Sequence, residues 1–171
     1  MSFTIGTGID VHGYAHEVST SNCPDVQYSA GNCLKLGLLE FPDFPQLQGH
    51  SDADVATHAL CGAILSAAHL GDIGSLLGVD DENWKGASGE KVLQHVLETV
   101  QHEGFSLESA SIQIVARAPK IHACRNQMVA KYQEVTGIRI GIGATTTDGF
   151  LAELGNGQAI MAVANALLRF A

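Results

Sequence analysis

Residues 3–12 read FTIGTGIDVH, an apolar run that ends in two chemically active side chains. Apolar and small residues alternate from Phe3 to Ile9, and this pattern predicts a first strand. Side chains two positions apart lie on the same face of a strand, so Asp10 and His12 can point at one ion from its end. This segment therefore starts the predicted fold and marks the first candidate for a site.

A third candidate ligand lies further along the chain, where residues 50–58 read HSDADVATH and end at His58. A ligand from a predicted helix would complete a set of two imidazoles and one carboxylate around zinc. Such a set leaves the fourth tetrahedral position open for water or substrate. The spacing alone equally allows a surface Asp-x-His pair and an unrelated helical histidine.

The composition predicts one compact domain over residues 1–171, because 171 residues suffice for one sizeable core and are few for two. The apolar fraction of 46% and the 19 glycines fit an α/β protein with many tight turns. Nine basic and 18 acidic residues give a net charge of -9, which argues against nucleic acid or an anionic membrane as partner. A phosphate substrate would therefore need metal ions and backbone N–H groups for much of its neutralisation.

The cysteines and the amino terminus predict a soluble cytoplasmic protein. No C-x-x-C pair occurs among the four cysteines, which is typical of thiols in a reducing compartment. The first residues lack a basic stretch followed by an apolar one, and no segment approaches the ~18 consecutive apolar residues of a membrane span. We therefore expect no membrane partner.

The amino-acid composition changes after the first predicted strand. Ser, Thr, Asn, Gly and Pro prevail from Ala15 to Asn32, which predicts an exposed loop insertion within the single domain. A second strand is predicted at Cys33–Leu39, and Pro42 and Pro45 then indicate a turn.

Ser51 or Asp52 is predicted to cap a helix that runs to about Leu70 and ends at Gly71, with His58 about two turns in. Asp52 and Asp54 are interpreted as acids that favour a helix amino terminus. The remaining elements are predicted from periodicity and stop signals: a helix at Gly89–Glu103, a strand at Ser111–Ala116, a helix at His122–Val135, a strand at Ile138–Ala144, and a final segment, Gln158–Phe170, whose composition fits either a helix or a buried strand.

Five motifs stand in a fixed order along the chain: GTGIDVHGY, GHSDADVATHAL, LGDIG, ARAPKI and GATTTDG. With them the chain resembles, from Ile5 to the carboxyl terminus, the 2-C-methyl-D-erythritol 2,4-cyclodiphosphate synthase family, and most of all its actinobacterial branch. The resemblance implies an α/β (α+β) fold with a mixed four-stranded sheet, helices packed on one face, and a strand as the last segment. It also implies a homotrimer with active sites between subunits.

The activity implied by the resemblance is that of a phosphorus–oxygen lyase of non-mevalonate isoprenoid biosynthesis. Its substrate would be 4-diphosphocytidyl-2-C-methyl-D-erythritol 2-phosphate, a cytidine diphosphate compound, which cyclises to 2-C-methyl-D-erythritol 2,4-cyclodiphosphate and releases CMP. Zinc held by Asp10, His12 and His58 would act as Lewis acid and orienter. Asp148 would hold Mg²⁺ or Mn²⁺ between the phosphates, as a shorter version of the glutamate that is frequent at this position.

The resemblance also assigns the other site residues. The catalytic residues would be Thr146, Asp148 and His50. His50 and Ser51 would contact the erythritol phosphate, and Asp72 and Gly74 the substrate hydroxyls. The cytosine and the CMP phosphate would meet Ala116, Ala118, Pro119 and Lys120, and the diphosphate would meet Thr145 and Thr146. Without the resemblance, ARAPKI is a surface turn with one lysine and LGDIG a helix stop.

Two departures from the family pattern leave alternatives open. Gly62 stands one helical turn after His58, where many members carry aspartate. Residues 155–159 read GNGQA in place of the usual Gly-Arg-Gly-Glu-Gly, so two charges of the central trimer channel are missing. The alternative functions are a zinc phosphohydrolase with water in the fourth position, and a trimeric CMP- and metal-binding protein without turnover.

Overall fold

The fold was analysed in a computed structural model, which describes residues 2–15, 33–49, 51–78, 84 and 86–170. The predicted insertion at 15–32 lies almost entirely outside these described residues, and so does His50. The elements in chain order are β1 Ser2–Gly13, β2 Cys33–Leu36, β3 Leu39–Pro45, α1 Val55–Ala68, α2 Ile73–Leu77, α3 Gly89–His102, β4 Phe105–Val115, a 3₁₀ turn Ile121–Ala123, α4 Arg125–Thr136, β5 Gly141–Thr145, α5 Ala152–Gly155 and β6 Ala159–Phe170.

The main sheet has four strands in the order β1-β6-β4-β5. β6 is antiparallel to both β1 and β4, whereas β4 and β5 are parallel, so the predicted mixed sheet is confirmed. The last segment is a strand, as the resemblance implied. Its alanines at 162, 164 and 166 are buried, because they alternate onto the face that packs against α1.

β1 and α1 approach each other closely at two glycines of β1. A Cβ placed on Gly8 would lie 2.0 Å from the carbonyl oxygen of Ala59, and one on Gly6 would lie 2.3 Å from that of Ala63. Only glycine permits this approach of strand and helix backbones. Since side chains alternate along β1, Asp10 and His12 lie on the same helix-facing side as these glycines.

α1 begins later than predicted, and the proposed capping residue was wrong. Its N-cap is Asp54, whose carboxylate accepts hydrogen bonds from the backbone N–H groups of Ala56 and Thr57. The same buried carboxylate accepts from the N–H groups of Gly37 and Leu38, so it also ties the β2–β3 turn to this helix. His58 therefore lies about one turn into α1 rather than two.

The segment from residue 33 to residue 45 is a hairpin rather than one strand followed by a turn. The chain reverses at Gly37 and Leu38, both with positive φ, and Pro42 and Pro45 lie within β3. A separate two-stranded sheet has only edge strands, where a missing N–H is tolerated. The predicted turn at these prolines was therefore wrong.

On the face of the main sheet that points away from α1, β1 exposes large apolar side chains. Ile5, Ile9 and Val11 of β1 are 79%, 63% and 53% exposed. Within the described part of the chain, no helix is both long and apolar enough to cross a membrane.

Candidate functional site

The structure brings together the three candidate zinc ligands, which come from β1 and α1. Asp10 Oδ2 lies 3.4 Å from His12 Nε2 and 3.3 Å from His58 Nδ1. One ligand atom from each residue lies within 4.8 Å of the other two. The close packing at Gly8 produces this meeting, because Gly8 touches Ala59, the residue next to His58.

The charges and hydrogen bonds of this cluster fit a divalent cation. Asp10 Oδ2 is buried and accepts no hydrogen bond from any described residue, although both imidazoles are near. Burial raises the pKa of Asp10, but the adjacent imidazoles of His12 and His58 outweigh burial and hold that pKa well below its usual range. An ionised carboxylate oxygen without a hydrogen bond, together with the two imidazole nitrogens it faces, is a donor set suited to zinc.

The second nitrogen of His58 has its own partners. Ser51 Oγ lies 3.1 Å from His58 Nε2, and Asp52 Oδ1 lies 3.9 Å from the same atom. Burial lowers the pKa of His58, but the carboxylates of Asp10, Asp54 and Asp52 raise it to a net value above the usual one. Ser51 thus orients the ring through Nε2, in the way that outer partners commonly hold a metal-binding imidazole.

We call Asp10, His12, His58 and Ser51 the metal half of the candidate site. We call the predicted phosphate and cytidine contacts that follow β4 and β5 the phosphate half: Ala116, Ala118, Pro119, Lys120, Thr145, Thr146 and Asp148.

The two segments of the phosphate half are neighbours. The Ala116 N–H donates to the Thr145 carbonyl oxygen over 3.1 Å, which extends the pairing of β4 and β5 beyond the strands. Thr146 Oγ1 donates to Asp148 Oδ1 over 3.0 Å, and both residues are exposed. Ala116 and Pro119 are buried, whereas Lys120 is exposed, and the Ala118 carbonyl oxygen accepts from Tyr14 Oη over 3.4 Å.

The structure places Asp72 and Gly74 at the start of the short helix α2, which was not predicted. Asp72 is its N-cap, and its carboxylate accepts from the Ser75 N–H over 2.7 Å. This hydrogen bond lowers the pKa of the exposed Asp72 carboxyl, so the group is an anion that can accept further hydrogen bonds. LGDIG is thus a helix start and not only a helix stop.

The metal ligands on β1 and the threonine loop after β5 lie at opposite edges of the sheet in one chain. Val11, Met161, Val115 and Thr145 form one row across the four strands. Three strand spacings separate the ends of this row, a distance of about 14 Å. One chain therefore does not bring the zinc ligands and the threonine loop into contact through its sheet.

Two features of the site were missed by sequence reasoning. The first is the contact between Ser51 and His58. The two residues are seven positions apart and α1 begins between them, so neither helical nor strand periodicity predicts it. A cavity of about 310 Å³ next to the phosphate half is lined by Arg117, residues 146–149 and residues 154–155. Arg117 belongs to the ARAPKI motif, and its positive charge was the sequence feature that could have indicated this cavity.

Comparisons with known proteins agree with the motifs. The sequence profile of the YgbB family matches residues 3–169. A protein of Cutibacterium acnes named 2-C-methyl-D-erythritol 2,4-cyclodiphosphate synthase is 40% identical over 164 residues, which cover 95% of this chain and 89% of the relative. An Acidothermus cellulolyticus protein of the same name is 37% identical, with coverages of 96% and 92%.

Solved structures show the same fold. A 2C-methyl-D-erythritol-2,4-cyclodiphosphate synthase matches with a TM-score of 0.77 and 30% identity over 96% of this chain and 99% of that one, and a bound form with CDP matches equally well. The bifunctional IspDF of Campylobacter jejuni matches with a TM-score of 0.83 and 28% identity over 99% of this chain and 43% of its own. The resemblance is thereby confirmed: the chain belongs to the YgbB family, together with the lyases named 2-C-methyl-D-erythritol 2,4-cyclodiphosphate synthase.

Proposed function

We propose that this chain catalyses the metal-dependent cyclisation of 4-diphosphocytidyl-2-C-methyl-D-erythritol 2-phosphate in non-mevalonate isoprenoid biosynthesis. The products are 2-C-methyl-D-erythritol 2,4-cyclodiphosphate and CMP. The observation that carries the proposal is the cluster of Asp10, His12 and His58, with its buried and unpartnered carboxylate oxygen, in a chain of this family.

The reaction is an internal phosphoryl transfer. An oxygen of the 2-phosphate attacks the β-phosphorus and forms a new P–O bond. The bond from the β-phosphorus to the bridging oxygen breaks, and CMP leaves with that oxygen and its electron pair. Both partners are anionic, so positioning and charge neutralisation set the barrier.

The metal half provides the donors for zinc. When bound there, zinc would supply Lewis-acid polarisation of a phosphate oxygen. Ser51 holds the ring of His58 through Nε2, which leaves Nδ1 facing Asp10. Ser51 and His50 precede α1 and would meet the erythritol phosphate, while Asp72 and Gly74 would receive the hydroxyls.

The phosphate half provides the contacts for the leaving group. Thr145 and Thr146 would donate hydroxyl hydrogen bonds to the diphosphate, and the carboxylate of Asp148 would hold Mg²⁺ or Mn²⁺, which would neutralise phosphate charge. The backbone at Ala116, Ala118 and Pro119 would read the cytosine, and Lys120 would meet the CMP phosphate.

A homotrimer with active sites between subunits would join the two halves. Two observations support it. In one chain about 14 Å, by strand spacing, separates β1 with its zinc ligands from β5, which leads into the threonine loop. The open sheet face also exposes Ile5, Ile9 and Val11, and exposed apolar side chains of this kind favour burial against another copy.

Product analysis by phosphorus NMR with the purified zinc-loaded protein tests the proposal. We expect the cyclic diphosphate and CMP in equal amounts, and neither from His58→Ala. Release of inorganic phosphate would instead indicate a phosphohydrolase. Binding of CMP without any product would indicate a protein that has lost turnover.

A further inference from the structure

The cavity of about 310 Å³ beside the phosphate half contains a cation that the proposed function does not use. Three separate segments form its lining: the end of β4 with Arg117, the loop of residues 146–149 after β5, and residues 154–155 in α5. The cavity is large enough for a phosphate group together with bound water. Its lining includes hydroxyls, one carboxylate and one guanidinium.

The stem of Arg117 is held, but most of its donors are free. A Cβ on Gly157 would lie 3.2 Å from Arg117 Cδ, so the aliphatic stem packs directly on this glycine, which has a φ of +76°. Arg117 Nη1 donates to the Gly155 carbonyl oxygen over 3.4 Å. No other hydrogen bond or ion pair joins its side chain to the described part of the chain, and a guanidinium has five N–H donors.

The opposite charge in the cavity is not paired with Arg117. The carboxylate of Asp148 accepts from Thr146 Oγ1, and no ion pair within 4.0 Å joins it to Arg117. A cation and an anion that line one cavity without meeting leave room for a charged ligand between them. Such a ligand would use its anionic oxygens toward Arg117 and the threonine hydroxyls.

We propose that Arg117 binds a phosphate of the substrate diphosphate, opposite Asp148, and is a substrate-binding residue beyond those already assigned. This inference rests on the proposed function for the identity of the substrate. It requires only that the ligand carry a phosphate or diphosphate group. Arg117 is one of nine basic residues against 18 acidic ones, so positive charge for an anionic ligand is scarce in this chain.

Calorimetric titration of the purified protein with CDP, cytidine and inorganic pyrophosphate tests this assignment. Arg117→Ala should weaken CDP and pyrophosphate binding by about tenfold or more, as expected for a charged hydrogen bond. It should leave cytidine binding within about twofold, because cytidine has no phosphate. Arg117→Lys should recover part of the affinity for both phosphate ligands, since lysine restores the charge but lacks the paired N–H donors of a guanidinium.

Arg169→Ala is the matched control, because Arg169 lies on β6 at the opposite end of the sheet and pairs with Glu108. It removes the same charge and should leave all three affinities unchanged. Unchanged CDP and pyrophosphate binding in Arg117→Ala, or an equal loss for cytidine, would overturn the assignment. If the unmodified protein binds pyrophosphate through Arg117 but neither CDP nor cytidine, the anion site stands and the proposed function fails.

Discussion

The metal half and the phosphate half are built in different ways. Asp10, His12 and His58 sit on a strand and a helix whose backbones touch at Gly8, so their meeting is fixed by buried packing. Thr146 and Asp148 sit on an exposed loop and contact mainly each other. The difference implies that the metal half is coupled to stability, whereas the phosphate half can change with little effect on the fold.

The largest effect on stability is expected from Gly8→Ala. The added Cβ would lie 2.0 Å from the Ala59 carbonyl oxygen and 2.4 Å from the Ala63 nitrogen, and neither backbone atom can move alone. We expect a loss of about 3 kcal/mol or more in the free energy of unfolding. Urea unfolding measures this loss.

Gly62→Ala is the matched control on the helix side of the same contact. Among the described residues outside its own helix backbone, its Cβ would meet only Gly8 Cα, at 3.5 Å, which is an ordinary contact. Alanine in a helix should then stabilise the protein by about 0.5–1 kcal/mol. Equal losses in both variants would show that close approach at Gly8 does not hold β1 on α1.

The next largest effect on the stability of the protein is expected from zinc binding to the metal half. At free zinc one hundred times its dissociation constant, the free energy of unfolding of the chelator-treated protein should rise by about 2.7 kcal/mol. His58→Ala should stay folded, contain well below one zinc per subunit and show almost none of this rise. Thermal unfolding with and without zinc measures this rise in stability. An equal rise in both proteins would remove His58 from the metal half.

Ser51→Ala should act more weakly and only through His58. Loss of the hydroxyl 3.1 Å from His58 Nε2 should reduce zinc affinity by about 10–100-fold. Competition with a chromogenic chelator measures the affinity. Ser66→Ala, at an exposed serine of α1, is the control, and identical affinities in the two variants would contradict the role of Ser51.

The smallest effect on stability is expected at Asp148. Asp148→Asn keeps a residue that tolerates its φ of +51°, so stability should change by less than about 0.5 kcal/mol. Zinc content should stay at the level of the unmodified protein, while turnover should fall at least about tenfold. Added Mn²⁺ should restore part of the turnover. Loss of zinc in this variant would mean that the two metal sites are not separate.

The sequence predicted the metal half better than its scaffold. Alternation along β1 placed Asp10 and His12 on one face, because a strand has a fixed period of two. The helix start was assigned wrongly, since Ser51, Asp52 and Asp54 are all good caps and only the contacts of Asp54 with the distant Gly37 and Leu38 distinguish them. Local signals cannot rank residues by such long-range hydrogen bonds.

The phosphate half was predicted only through the resemblance. A run of threonines and a turn with one lysine carry little information alone, because their meeting depends on the parallel pairing of β4 with β5. The cavity at Arg117 joins this residue to residues 146–155, which lie about 30 positions later in the chain, and no local pattern predicts that contact. The hairpin of β2 and β3 was missed because Pro42 and Pro45 were interpreted as a turn, although edge strands accept proline.

The central claim is that one active site combines the metal half of one subunit with the phosphate half of another. Subunit mixing tests it most directly, with His58→Ala and Asp148→Asn co-expressed under separate tags and the hybrids purified through both. Each variant alone should be nearly inactive. If a cyclic trimer assembles at random from equal amounts, about a quarter of its sites pair two intact halves. We therefore expect turnover to recover to roughly that fraction before tag selection, and somewhat more in the purified hybrids. Hybrids as inactive as the two parents would contradict the claim and place both halves of each site within a single chain.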